Sequence, residues 1–182
     1  KIKKLSGNKN ISFSVPTGNF GDAYAGYIAK EKFNIPIKRI IIATNKNNIL
    51  DRFFKTGMYK KEKVFKTISP SMDIQIASNF ERLLFDLYEN NGEKVQLLME
   101  NFKRANAIQV DRKYFNLTKN IFMSYSVSEA RTINRINNTY NDFNIIVDPH
   151  TAVGLEAASK YLQNNKRDIV VTLATAHPSK FS

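Results

Sequence analysis

The feature that most restricts the fold is a short, unbroken apolar run at residues 38–43, KRIIIA. A continuous run of β-branched residues of this length is typical of a strand that is buried on both faces of a sheet. Similar short runs lie at residues 11–15, 145–147 and 169–173, and segments with helical periodicity separate them. Strands that alternate with helices in this way predict an α/β fold, in which helices cover both faces of a mostly parallel sheet.

The middle of the chain is predicted to be helical. Apolar residues recur at helical spacing through residues 74–89, and a second helix follows Asn91 and Gly92. A capping-box pattern at residues 126–129 predicts the start of another helix. Residues 105–125 are ambiguous, and no clear strand is found between about residues 74 and 140. Two further helices are predicted at residues 47–56, ending at Gly57, and at residues 151–163.

Composition excludes several classes of site. The 182 residues contain no cysteine, which excludes disulfide bridges, thiolate zinc sites and cysteine nucleophiles. The two histidines have no metal-ligand spacing, so no metal site is predicted. No apolar run approaches the length of a membrane span, and no signal peptide is visible, so a cytoplasmic protein is expected. The net charge of +12 would suit a nucleic-acid surface, but its basic residues are dispersed and no nucleic-acid-binding motif accompanies them.

Two glycines, Gly18 and Gly21, lie where the first predicted strand meets a helix, in the string SVPTGNFGDAYAG. Glycine permits a positive φ, and it lets a ligand approach the backbone because it has no Cβ. A helix that begins directly after such a loop leaves its first amides unpaired at the positive end of its dipole, which suits a phosphate dianion. Asp22 would then be a first-turn carboxylate that favours the dipole, or an acceptor for loop amides. A tight strand-to-helix turn without a ligand explains the spacing equally well.

The string PTGNFGDAYAG closely resembles the phosphate loop of threonine synthase, a family of pyridoxal-phosphate enzymes of fold type II. Four further stretches resemble the same family in the same order. They are residues 40–54 (IIIATNKNNILDRFF), 69–86 (SPSMDIQIASNFERLLFD), 148–154 (DPHTAVG) and 175–181 (TAHPSKF). The resemblance covers nearly the whole chain and implies a tryptophan synthase β-like fold with an inserted helical layer.

The resemblance also implies a domain organisation, in which this chain is an incomplete large domain of a longer enzyme. Residues 1–73 are expected to form a cofactor-binding α/β part with the phosphate loop. Residues 74–142 are expected to form the helical insertion packed on it, and residues 143–182 to return to the α/β part.

The implied activity is the pyridoxal 5′-phosphate-dependent conversion of O-phospho-L-homoserine and water to L-threonine and phosphate, the last step of threonine biosynthesis. The residues implied to hold the cofactor phosphate are Gly18, Asn19, Phe20, Gly21 and Asp22. Thr175 matches the family's hydroxyl partner of the pyridine nitrogen, and it follows the last predicted strand, at the sheet edge where α/β proteins bind ligands. The lysine that binds the cofactor covalently is expected upstream. No catalytic residue is therefore assigned in this chain, and the segment alone is expected to be inactive.

Several alternatives remain open. The chain could belong to a non-catalytic fragment, to a threonine-synthase-like phospholyase acting on another phosphorylated amino acid, or, less favoured, to a basic nucleic-acid-binding module. The expected partners are a small-molecule substrate and the remainder of the same enzyme, with no membrane and no nucleic acid.

Several polar residues outside the phosphate loop are weaker candidates. His150 is expected to pack at a helix start rather than to form a pocket rim, and His177 to shape the surroundings of the ring indirectly. Capping of the helix at 74–89 explains the polar residues before it at least as well as ligand contact does; these are Ser71, Asp73, Ser78 and Asn79.

Overall fold

The structure is a computed structural model that describes residues 11–181. In chain order its strands and helices are β1 (Ile11–Pro16), α1 (Gly21–Glu31), β2 (Ile40–Thr44), α2 (Ile49–Thr56), β3 (Met58–Lys60), α3 (Phe80–Leu87), α4 (Gly92–Ala105), β4 (Ala107–Gln109), α5 (Arg112–Thr118), β5 (Phe122–Ser126), α6 (Glu129–Phe143), α7 (Pro149–Asn164) and β6 (Ile169–Thr172). Single 3-10 turns lie at Pro70–Met72 and Pro178–Phe181. Within the described residues, no helix is both long enough and apolar enough to cross a membrane.

Four parallel strands form the main sheet, in the order β5-β2-β1-β6. The central strand β2 is fully buried, and its side chains alternate between two apolar clusters. Ile40 and Ile42 belong to the larger cluster, which includes residues of α1, α2 and α3. Ile41 and Ala43 point the other way and pack in a cluster with Val153 of α7. Helices therefore cover both faces of a parallel sheet, and the predicted fold class is confirmed.

The middle segment also contributes to the sheet. Strand β5 pairs with β2 over five residues, with Phe122 opposite Ile40, and β4 forms an antiparallel ribbon with β3. The prediction that residues 74–140 lack strands is therefore wrong. Strand β5 escaped detection because it has no continuous apolar run: buried Phe122 and Ser124 alternate with the more exposed Met123. The domain division at residues 74 and 142 stays a prediction.

The strand predicted at residues 145–147 is wrong. These residues form an irregular link between α6 and α7, in which Ile145 and Ile146 are 55% and 63% exposed. Asn144 ends α6 in the left-handed conformation, and Asp148 caps the start of α7. Only three residues remain between these two caps, and none of them pairs with a strand of the described residues.

The capping box predicted at residues 126–129 is shifted. Ser128 is the residue whose side chain accepts from the Arg131 amide, and it precedes the first helical residue of α6. Ser126 still belongs to β5, where its hydroxyl donates to the Asn45 carbonyl at 3.1 Å. The Val127 amide donates to the Thr44 carbonyl, so strand pairing continues past the point at which the sequence pattern starts the helix.

Aromatic rings fill the space between the sheet and the middle helices. Tyr59 stacks on Phe80 with ring centroids 4.3 Å apart, and Phe53 meets Phe80 edge-on at 4.6 Å. The Tyr59 side chain is 1% exposed, and its hydroxyl oxygen accepts from the Ala77 amide at 2.7 Å. Burial raises the pKa of Tyr59 from 10.0 to about 12, because a phenolate in this apolar cluster would lose its hydration.

We expect this buried phenol to make the protein less stable at high pH. In the unfolded chain Tyr59 ionises near its ordinary pKa of 10.0, whereas in the folded protein it stays neutral up to about pH 12. Its contribution to stability is therefore complete below pH 10 and is lost as the pH rises to about 12, by about 2–3 kcal/mol. Urea unfolding of the full-length protein across this range measures the loss. The Tyr59→Phe variant should lose less, and an identical pH dependence in both proteins would contradict the assignment.

Candidate functional site

The ends of two neighbouring strands bring the predicted site residues to one edge of the sheet. Strands β1 and β6 are paired, with Ser14 opposite Thr172, and the Leu173 amide donates to the Ser14 carbonyl at 3.0 Å. The glycine-containing loop follows β1, and the segment with Thr175 follows β6. Because parallel strands share one carboxyl edge, these two segments leave the sheet side by side, where α/β folds bind ligands.

The start of α1 presents unpaired amides. Its first helical hydrogen bond runs from the Tyr24 amide to the Phe20 carbonyl at 2.9 Å, so the amides of Gly21, Asp22 and Ala23 have no acceptor within the helix. No side chain caps this end of the helix. Residues 15–23 line a cavity of about 220 Å³. Free amides and the positive end of a helix dipole beside a cavity make a site that fits a phosphate dianion.

The two glycines of the loop have different roles. A Cβ on Gly18 would lie 2.7 Å from the Ser71 carbonyl oxygen and 3.3 Å from the Met72 Cα, so only glycine fits there. A Cβ on Gly21 would have Asn79 Nδ2 as its nearest neighbour, at an ordinary 3.5 Å. Neither glycine has a positive φ. Positive φ, one of the two reasons given for glycine in the sequence, applies to neither residue. Gly18 allows a close approach, but it is the Ser71 turn that approaches its backbone, and the approach of a ligand stays a prediction.

The left-handed residue of the loop is Phe20, with φ 67° and ψ 11°. A bulky residue with positive φ is uncommon and costs conformational energy. The Phe20 ring is 1% exposed and contacts Phe54, Phe80 and Phe122, with centroids 5.8–6.1 Å away. Burial of the ring in the core therefore holds the loop in a conformation that its backbone alone would disfavour.

Thr175 lies across a second cavity from this loop. The cavity has a volume of about 170 Å³, and its walls include Gly18, Asp22 and Thr175 together with Ser71 and His150. Thr175 is exposed, and its hydroxyl makes no hydrogen bond within the described residues. The Thr175 hydroxyl therefore does not bind a backbone group of the described residues at the end of β6.

Asn19 and Asp22 lie on the exposed side of the loop. The Asn19 carbonyl accepts from the backbone amide of Asn79 at 3.0 Å and from its side-chain amide at 3.1 Å, which ties the loop to the start of α3. Asp22, in the first turn of α1, lines both cavities and accepts no hydrogen bond from the described residues. Its side chain therefore favours the helix dipole but does not pair with the loop amides.

The two histidines differ in burial. His150 is 3% exposed at the start of α7 and also lines the cavity beside Thr175, so it combines the two roles that the sequence left as alternatives. His177 is exposed, and its Nδ1 lies 2.7 Å from the Ser179 hydroxyl. His177 does not line this cavity.

A polar network that the sequence did not reveal holds the turn beside Gly18. Asp73 Oδ1 accepts from the side-chain amides of Asn45 at 2.8 Å and Asn47 at 2.9 Å, and from the Thr67 hydroxyl at 2.6 Å. Its other oxygen accepts from the Thr67 amide at 2.8 Å. Asp73 therefore does not cap the following helix, and that interpretation is wrong. Asn45 and Asn47 lie just after β2, and polar residues at the carboxyl end of a parallel strand are the sequence signal that could have indicated this network.

Known proteins match this chain along nearly its whole length. The family described as "Threonine synthase, C-terminal" matches residues 151–182. Threonine synthase of Pseudomonas aeruginosa is 42% identical over 174 residues, which cover 96% of this chain and 37% of the relative. Threonine synthase-like 1 of Homo sapiens is 34% identical over 180 residues, which cover 98% of this chain and 24% of the relative. The crystal structure of PLP-bound threonine synthase from Brucella melitensis matches with a TM-score of 0.90 at 39% identity, covering 98% of this chain and 38% of that one.

A more distant structure shares the fold alone. The L-serine ammonia-lyase from Rhizomucor miehei matches 99% of this chain and 52% of its own, with a TM-score of 0.60 at 15% identity. The fold is thus that of the fold type II pyridoxal-phosphate enzymes. Within that class the chain is similar to threonine synthases along nearly its whole length, and it spans about 37% of the length of the curated threonine synthases. The resemblance seen in the sequence is confirmed, whereas the roles of the individual residues stay predictions.

Proposed function

We propose that the full-length protein is a threonine synthase, which converts O-phospho-L-homoserine and water to L-threonine and phosphate with pyridoxal 5′-phosphate. This chain contributes the part that holds the cofactor. The observation that carries the proposal is the shared cavity, in which the loop before α1 and Thr175 face the same space. A family relationship at 42% identity with a threonine synthase supports the choice of reaction.

The backbone amides at the start of α1 hold the cofactor phosphate. Three of them have no acceptor within the helix, and the helix dipole adds its positive end at the same point. Gly18 brings the loop backbone against Ser71 without a side chain in between. The site therefore binds the anion through fixed backbone groups, which need no rearrangement when it enters.

Thr175 binds the pyridine nitrogen through its hydroxyl. When bound, the cofactor serves as the electron sink for the carbanions that elimination and hydration require. A neutral hydroxyl donates a hydrogen bond to the ring nitrogen but cannot stabilise its protonated form as a carboxylate would. Thr175 thus orients the ring and limits its electron withdrawal, which steers the choice among competing reactions.

A second candidate is a threonine-synthase-like phospholyase that acts on another phosphorylated amino acid. This candidate is supported by the 34% identity to threonine synthase-like 1 of Homo sapiens over 98% of this chain. The two candidates share the cofactor site described above and differ in the substrate that the rest of the protein admits.

The decisive experiment uses the full-length protein. Pyridoxal 5′-phosphate is titrated while absorbance of the bound cofactor is recorded, and phosphate release is then measured with O-phospho-L-homoserine and with other phosphorylated amino acids. Cofactor binding with threonine formation supports the proposal. Cofactor binding with phosphate release only from another substrate favours the phospholyase, and absence of cofactor binding refutes both.

Substitution of Thr175 tests the role of the hydroxyl. We expect Thr175→Asp to change the ratio of products formed from O-phospho-L-homoserine, because a carboxylate stabilises positive charge on the ring nitrogen. Thr175→Ser keeps a hydroxyl at the same position and should retain the product ratio of the wild-type protein. Product analysis by chromatography measures both variants, and an unchanged product ratio in Thr175→Asp would argue against this role.

A further inference from the structure

A buried carboxylate–imidazole pair lies behind the cavity. Asp148 and His150 are 1% and 3% exposed, and Asp148 Oδ1 lies 3.0 Å from His150 Nδ1. Asp148 also caps α7, because its Oδ1 accepts from the amides of His150 at 2.9 Å and Thr151 at 3.3 Å. Its Oδ2 accepts from the Thr151 hydroxyl. Hydrogen bonds to both of its oxygens thus hold the carboxylate in place, so that it can orient the imidazole.

The other ring nitrogen of His150 binds a backbone group on a different segment. The Ser71 amide donates to His150 Nε2 at 3.2 Å. An amide can only donate, so Nε2 must be the unprotonated nitrogen, and the remaining proton of a neutral ring lies on Nδ1, where Asp148 accepts it. The pair therefore joins the start of α7 to the 3-10 turn at Pro70–Met72 through one defined tautomer.

That turn is the wall against which the phosphate loop packs. The Ser71 carbonyl oxygen is the atom that a Cβ on Gly18 would approach to 2.7 Å. The amide of the same residue is the one that His150 holds. On its other side the His150 ring meets the Phe181 ring with centroids 4.6 Å apart, and Phe181 belongs to the segment that follows Thr175. His150 therefore contacts both walls of the cavity.

The hydrogen bond that Ser71 donates to His150 is separate from the hydrogen bonds that hold the other end of this turn. Asp73, after the turn, is held by Asn45, Asn47 and Thr67, and none of these three forms a hydrogen bond with Ser71 within the described residues. Loss of the bond to His150 would leave the Asp73 network in place and would free the part of the turn nearest Gly18.

We propose that Asp148 and His150 are positioning residues, which hold the Ser71 turn against Gly18 and so set the width of the cavity between the phosphate loop and Thr175. The inference rests on the proposed function, because it assigns these residues to the binding of pyridoxal 5′-phosphate. Neither side chain contacts the reacting atoms in this role. They act through the Ser71 backbone.

Two substitutions of His150 separate its two hydrogen bonds. In His150→Gln the side-chain oxygen can take the place of Nε2 and accept from Ser71, whereas in His150→Asn the side-chain NH₂ can take the place of Nδ1–H and donate to Asp148. Each variant loses one bond, and the bond to the Asp148 carboxylate, which His150→Gln loses, is the stronger of the two. His177→Asn serves as the control, since His177 is exposed and does not line the cavity.

Two readouts on the full-length protein follow the Ser71 turn and the cofactor. In His150→Asn we expect amide hydrogen exchange at residues 69–73 to become at least about tenfold faster, and the Kd for pyridoxal 5′-phosphate to rise about five- to tenfold, as for the loss of one hydrogen bond. In His150→Gln both quantities should stay within about threefold of the wild-type values. A role in helix stability alone would affect His150→Gln at least as much as His150→Asn, because His150→Gln loses the bond to the Asp148 cap.

Equal effects of the two variants on exchange and on Kd would overturn the inference, as would unchanged exchange at residues 69–73 in His150→Asn. If the variants do not fold, nitrogen NMR of the wild-type protein decides instead. The ring signals of His150 are assigned in the full-length protein by through-bond correlation to its backbone resonances. A proton found on Nε2 of His150 refutes the hydrogen bond to Ser71. Failure of the wild-type protein to bind the cofactor refutes the proposed function itself, a result distinct from these.

Discussion

In a Gly18→Ala variant of the full-length protein, we expect the affinity for pyridoxal 5′-phosphate to fall about tenfold to 100-fold. The new methyl group would lie 2.7 Å from the Ser71 carbonyl oxygen and 3.3 Å from the Met72 Cα, and both atoms belong to the backbone. A side chain could rotate away, but a backbone turn held by His150 and Asp73 must shift as a unit. Overpacking of this kind costs about 1–3 kcal/mol. The shift would also displace the amides that hold the phosphate.

The matched control is Gly21→Ala in the same loop. Its Cβ would meet nothing nearer than 3.5 Å, and Gly21 has no positive φ, so alanine fits without strain. Alanine also favours a helix more than glycine does, and Gly21 is the first residue of α1. We therefore expect the free energy of unfolding of Gly21→Ala to equal or exceed the wild-type value, whereas Gly18→Ala should lose about 1–3 kcal/mol. Titration with pyridoxal 5′-phosphate measures the affinity of Gly18→Ala, and urea unfolding measures the stability of both variants. Equal losses of stability in the two would contradict the steric explanation.

The second large effect is expected at Phe20. Replacement by alanine removes a ring that is 1% exposed and touches Phe54, Phe80 and Phe122. We expect the free energy of unfolding to decrease by about 3–5 kcal/mol, the usual cost of removing a buried phenylalanine side chain. Because the ring fixes the residue that immediately precedes α1, cofactor affinity should fall as well.

Phe20→Gly distinguishes the loss of the ring from the backbone strain. Both variants lose the ring, but glycine adopts φ 67° without the penalty that any side chain pays there, about 1–2 kcal/mol. Glycine should therefore be less destabilising than alanine by about 1 kcal/mol, the reverse of the usual order at an ordinary backbone position. Urea unfolding of the full-length variants measures the difference. A less stable Phe20→Gly variant would show that this φ carries no strain.

Much of the fold could be predicted because the decisive patterns are local. The apolar run at residues 38–43 identified the central strand, and Gly57 ended α2 as expected, with φ 77°. The strand at residues 145–147 was predicted from its apolar run alone, and it failed because these residues link two capped helices and pair with no described strand. Strand β5 was missed because its residues form no continuous apolar run. Its place in the sheet comes from pairing with β2, which a local pattern does not reveal.

For the candidate site, the sequence determined which residues could bind a phosphate, because Gly18, Gly21 and the start of a helix lie next to one another in the chain. It also placed Thr175 just after a strand. Only the tertiary structure decided that β6 lies beside β1, which brings Thr175 to the same cavity as Gly18. It alone showed that Phe20 rather than a glycine takes the left-handed conformation, and that His150 holds the Ser71 turn. The pairing of β1 with β6 joins Ile11 to Ile169, 158 positions away. No local pattern encodes such contacts, because strand order and side-chain packing are settled by the whole chain at once.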